Sequence, residues 1–64
     1  MNVGQTIKEL RKKMLVSQQE LGELLGTSRV TVARWETGVY SPSYPMKRKL
    51  RDLCKENGVK WEVE

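Results

Sequence analysis

The spacing of two serines and two glycines, Ser17, Gly26, Ser28 and Gly38, constrains this chain more than any other feature. Ser17 followed by Gln18, Gln19 and Glu20 is a capping box. The serine oxygen accepts from an orphan amide of the first turn, and the glutamate reaches back to the serine's own amide. Leu21, Leu24 and Leu25 follow, and then Gly26, a residue that takes positive φ without a Cβ clash and so ends helices. Ser28 can cap the next helix, whose inward positions at four-and-three spacing are Thr27 or Ser28, Val32 and Trp35, and Gly38 terminates it. Two such short helices do not persist alone in water and must be held against each other. Gly22 marks where they meet, because glycine inside a helix costs roughly 0.5 to 1 kcal/mol relative to alanine and needs a packing reason.

Two further helices flank this pair. The first carries Val3, Ile7, Leu10 and Met14 on one stripe, and either Asn2 with Gln5 or Thr6 with Glu9 forms its capping box. Val39 to Tyr44 has the serine and proline content of a surface loop. Pro45 suits the first turn of a last helix, with Met46, Leu50, Leu53 and Cys54 inward and Asn57 and Gly58 closing it. From Val59 to Glu64 the chain alternates, with Val59, Trp61 and Val63 on one side, which is a strand period too short for a sheet. Three readings stay open there: Trp61 covers the core, the tail frays, or it pairs as an arm with a second subunit. The division expected is a domain over 1–58, its two-helix unit at 18–37, and a tail or arm over 59–64.

At 64 residues the chain forms one domain and buries only about 60% of its unfolded surface. With no histidine and one cysteine, a disulfide, a Cys/His zinc cluster and a His-based catalytic site are excluded by count. No nucleophile with its base and no phosphate-cradling glycine loop can be assembled, so no enzyme, cofactor, metal or small-molecule ligand is expected. Cys54 reads as a buried structural thiol. The longest apolar run is Met14 to Val16, far short of the roughly 20 residues of a membrane span, which predicts a soluble cytoplasmic protein. A net charge of +4 favours a polyanionic partner without naming one.

The stretch SQQELGELLGTSRVTVARWETG, Ser17 to Gly38, resembles the helix-turn-helix of the lambda repressor and Cro family, also called the XRE family. Ser17, Gln18, Gly22, Gly26, Val32, Trp35 and the closing Glu36-Thr37-Gly38 match its pattern, and a weaker likeness runs into the first helix and over Pro45 to Leu53. The resemblance implies an all-α, four- to five-helix bundle in which Leu21, Gly22, Leu25, Gly26, Val32 and Trp35 build the helix-turn-helix. The segment from Ser28 to Thr37 would lie in the major groove of duplex DNA.

If Val32 and Trp35 point inward, Arg29, Val30, Thr31 and Arg34 face the bases. Arg34 can offer a bidentate fork to guanine, and Val30 is either a tolerated surface residue or a contact for a thymine methyl. Gln18, which resembles the first residue of the family motif, would brace the recognition helix and touch a phosphate; the bland alternative is a solvated side chain. Ser28, Thr37, Tyr40 and Ser41 offer hydroxyls for the DNA backbone, as does Ser43, and Lys47 and Arg48 follow in the last helix. Against that, Lys47, Arg48, Lys49 and Arg51 read equally as a solvated helix face, with Arg48 and Asp52 as an i,i+4 pair. Lys12 and Lys13 read as surface. The family also implies a structural ion pair, Arg11 with Glu36. A homodimer on a palindromic operator and a role as transcriptional regulator or repressor are expected. The alternative is a protein-interaction module of the same fold, of the antitoxin or coactivator kind, with weak DNA affinity.

Overall fold

A computed structural model of the chain describes residues 2–61. Among them are α1 (Val3–Met14), α2 (Gln18–Leu25), α3 (Arg29–Thr37) and α4 (Tyr44–Glu56), with no strand. The protein is an all-helical bundle.

Each helix start has a local cause. For α1 the choice between two capping boxes falls to Asn2 and Gln5: Asn2 Oδ1 accepts from the Gln5 amide at 2.9 Å, and the Gln5 side chain reaches back to the Asn2 amide. The box at Ser17 and Glu20 forms as expected, with both bonds present. Ser28 is the N-cap of α3 rather than its first turn, so the helix expected over Ser28 to Thr37 begins at Arg29; Thr27, not Ser28, is the partly buried one of the two inward candidates. α4 starts at Tyr44 with Pro45 in its first turn and no side-chain cap. Gly26 and Gly38 end α2 and α3 at φ 75° and 83°, as a left-handed cap requires. α1 ends the same way with a leucine, Leu15 at φ 58°, almost wholly exposed.

The core draws two residues from every helix: Ile7 and Leu10, Leu21 and Leu25, Val32 and Trp35, Leu50 and Cys54. Burial pushes the Cys54 thiol above its ordinary pKa, because the thiolate loses hydration there. Leu24, on the same helix as Leu21 and Leu25, faces solvent instead. Met14, Met46 and Leu53 are partly buried around the core. The loop before α4 is not wholly on the surface, since Pro42 is buried in it. At the C-terminal end, residues 59–61 form no strand, and Val59 and Trp61 pack against the core. That supports the covering reading of Trp61. Val63, and the rest of the suggested arm at 62–64, lie outside the described residues.

Two glycines set how closely the helices approach. A Cβ on Gly22 would lie 3.0 Å from the carbonyl carbon and 3.1 Å from the carbonyl oxygen of Ser28, so α2 meets the start of α3 backbone to backbone. Gly4, which pattern reasoning passed over, is tighter: a Cβ there would lie 2.7 Å from the Trp35 carbonyl oxygen and 2.8 Å from that of Glu36. α1 therefore seats directly on the end of α3.

Candidate nucleic-acid interface

The turn between α2 and α3 is short because Gly26 reverses the chain at once. The Thr27 amide donates to the Gly22 carbonyl at 2.7 Å and the Gly26 amide to that of Glu23 at 3.2 Å, which consumes carbonyls that α2 would otherwise leave without partners. Ser28 then opens α3, its hydroxyl oxygen accepting from the Thr31 amide at 3.2 Å.

α3 is fastened from behind by a buried carboxylate. Glu36 has a side chain 1% exposed and accepts from Arg11 Nε at 2.8 Å, from Arg11 Nη2 at 3.2 Å and from Gln18 Nε2 at 3.1 Å. The expected pair of Arg11 and Glu36 is thus a bidentate fork, joined by a third donor from α2. The carboxylate holds the Arg11 guanidinium above its ordinary pKa, chiefly through the direct hydrogen bonds. Gln18 turns its side-chain amide inward to Glu36 and so ties the start of α2 to α3. The three groups come from α1, α2 and α3, so one buried network sets the mutual angles of all three helices.

The opposite face of α3 is open. Arg29, Val30 and Arg34 are exposed, and Ala33 is partly so. Thr31 is half-buried, with its hydroxyl 3.0 Å from that of Ser28, so these two hydroxyls are tied to each other at the cap. Thr37 donates its hydroxyl to the carbonyls of Ala33 at 3.0 Å and Arg34 at 3.3 Å, which engages its proton inside the helix. Tyr40 and Ser41 are exposed just beyond α3, and Arg48 is exposed on α4 with Lys47 partly buried beside it.

Two aromatic rings lie beneath cations. Arg34 Cζ lies 5.4 Å from the centre of the Tyr40 ring, and Lys47 Nζ lies 5.5 Å from that of Tyr44. Neither contact was foreseen from the sequence. The expected pair of Arg48 and Asp52 is replaced by Arg51 with Asp52 at 3.6 Å. Both of those side chains are solvated, so the pair contributes little.

Two short helices crossing at a glycine turn, clamped by a buried carboxylate and leaving an arginine-bearing helix face outward, define a helix-turn-helix protein. A family model described as helix-turn-helix matches residues 7–61, and the chain belongs to that family, of the lambda repressor, Cro and XRE type. Its curated relatives carry matching names. A Bacillus subtilis protein named as an uncharacterized HTH-type transcriptional regulator, YgzD, is 43% identical over 56 residues, covering 88% of this chain and 80% of its own. A Methanothermobacter thermautotrophicus protein with the same kind of name is 39% identical over 52 residues, 80% of this chain and 75% of its own. A Pyrococcus furiosus protein named as an HTH-type transcriptional regulatory protein is 39% identical over 57 residues, but these make up only 18% of its length. No solved structure matches the chain at a comparable level. DNA binding in transcriptional regulation is what this family implies, and the family is not an enzymatic one. No helix among the described residues is long and apolar enough to cross a membrane.

Proposed function

We propose that this protein is a cytoplasmic transcriptional regulator, acting as a repressor, that binds specific duplex DNA sequences with α3 in the major groove. The observation that carries this reading is the division of α3 into a locked inner face, with Val32, Trp35 and Glu36 buried, and an outer face bearing Arg29, Val30 and Arg34. Arg34 presents a fork suited to guanine O6 and N7, and each such bidentate contact is worth roughly 1 to 3 kcal/mol of discrimination. Val30 is apolar and 48% exposed, which suits a thymine methyl. Arg29 and Thr31 line the N-terminal part of the same helix, the part that lies nearest the bases in this docking geometry.

The DNA backbone falls to groups around that face. Gln18 sits at the N-terminus of α2, where the helix dipole favours a phosphate, while its amide nitrogen stays with Glu36. Ser28, Thr37, Tyr40, Ser41, Lys47 and Arg48 frame α3 and hold the duplex without reading it. For Thr37 this means accepting a hydrogen bond through water rather than donating one, since its proton is engaged within α3. A homodimer would place two copies of α3 about 34 Å apart on a palindromic operator.

Selection of bound sites from random duplex DNA, repeated across salt concentrations with Arg34→Ala alongside, tests the reading. A recurrent motif containing guanine, affinity that falls steeply with salt, and relaxed preference at one base in Arg34→Ala are expected. Weak, equal binding to every duplex would overturn it in favour of a protein-interaction module.

A further inference from the structure

We infer that Tyr40 is a positioning residue for Arg34, holding the guanidinium over its ring so that Tyr40 helps set the base preference; this rests on the proposed role of Arg34 as a base reader. Tyr40 is a large aromatic side chain 57% exposed, so the core does not account for it. What it does contact is Arg34, with the guanidinium carbon 5.4 Å from the ring centre, inside the roughly 6 Å range of cation–π attraction.

The backbone brings the two residues together by design of the helix end. Gly38 takes φ 83° and turns the chain back at the close of α3. The amides of Val39 and Tyr40 then both donate to the Arg34 carbonyl, at 2.9 Å and 3.4 Å. The residue carrying the ring is therefore tied to the main chain of the residue carrying the cation.

An exposed arginine otherwise spreads over many rotamers, and each must be given up when the side chain engages a base. A ring that gathers the guanidinium beforehand reduces that loss, and the attraction leaves in-plane N–H donors available to read an acceptor pair. The hydroxyl at the far edge of the ring stays free of this task. Ring and hydroxyl thus have separable roles: the ring affects which base is chosen, and the hydroxyl affects only how firmly any duplex is held.

The test compares the wild type with Tyr40→Leu, Tyr40→Phe, Arg34→Ala and the double variant Arg34→Ala/Tyr40→Leu in site selection and equilibrium titration, with melting curves confirming that each is folded. Tyr40→Leu should weaken the discrimination at the one base relaxed in Arg34→Ala by about two- to fivefold and leave other positions unchanged. Tyr40→Phe should retain that preference, and the double variant should match Arg34→Ala at that base. Equal weakening of every sequence in Tyr40→Leu, or loss of the preference in Tyr40→Phe, would overturn the positioning role. If Arg34→Ala leaves all preferences intact, the base-reading role itself fails, and that result is distinct from the other two.

Discussion

The inner and outer faces of α3 are built on opposite terms. Inside, Val32 and Trp35 fill the core, Glu36 accepts three hydrogen bonds in near-complete burial, and the backbone lies so close to Gly4 that a methyl group has no room. Outside, Arg29 and Val30 project into solvent, and the Arg34 guanidinium lies over a ring that is itself exposed. The lesson is that orientation and recognition are separated on one helix of nine residues. Energy that orients the helix is concentrated where no ligand reaches, so residues on the other face can change without loss of the fold.

Arg11→Ala strains this contrast most. It leaves the Glu36 carboxylate buried with Gln18 as its remaining partner, and a stranded buried charge costs about 3 kcal/mol or more. In a domain this small the midpoint of thermal unfolding should fall by about 12 °C or more. The double variant Arg11→Met/Glu36→Leu, which removes both charges, should recover most of that loss. If Arg11→Ala melts like the wild type, the inner network is not what orients α3.

Gly4→Ala comes next. Its methyl meets two carbonyl oxygens of α3 that belong to backbone and cannot swing aside, so overpacking of about 2 kcal/mol should outweigh the gain in helix propensity. Gly22→Ala has a few tenths of an ångström more room and should lose less in the same chemical-denaturation series. Reversal of that order would place the tighter helix contact on the wrong side of α3.

Substitutions on the outer face should have the opposite signature. Arg29→Ala and Val30→Ala are expected within about 0.5 kcal/mol of wild-type stability while weakening or broadening DNA binding. A loss of stability comparable to Arg11→Ala would erase the distinction between the faces.

The smallest effect concerns pH. The Cys54 pKa is raised in the folded state, so the unfolded chain gives up its thiol proton first. Stability from this group is fully present below the ordinary thiol pKa of about 8.5 and declines as pH rises above it. Denaturant midpoints measured from pH 8 to 10 should show a steeper fall in the wild type than in Cys54→Val.

Much of this was legible in the chain because it depends on neighbours in sequence. The capping box of Ser17 and Glu20, the glycine ends of α2 and α3, and the apolar stripes follow from backbone hydrogen bonding and from helical period. Leu24 escaped the pattern, since an apolar residue at the edge of a stripe faces core or solvent according to the angle at which the next helix crosses. Gly4 was missed because it lies in the first turn of α1, and the alternative capping box at Thr6 and Glu9 would have left it outside the helix. Pro42 gave no sign of its burial within a stretch that otherwise has the composition of a surface turn.

The ion pair of Arg11 and Glu36 illustrates the boundary best. Family resemblance could suggest that the two residues meet, yet a pair 25 residues apart stabilises strongly or scarcely at all depending on its burial. Similarly, nothing local links Arg34 to Tyr40 until Gly38 has turned the chain. The sequence by itself determined the four helices, the cap of α2, the glycine ends of α2 and α3 and the glycine on which they cross, since these depend on propensity, capping and backbone sterics within a few residues. Tertiary structure alone decided that Glu36 is sealed from water and that Gln18 turns inward to it, because burial and contact between distant residues arise only when the helices are assembled.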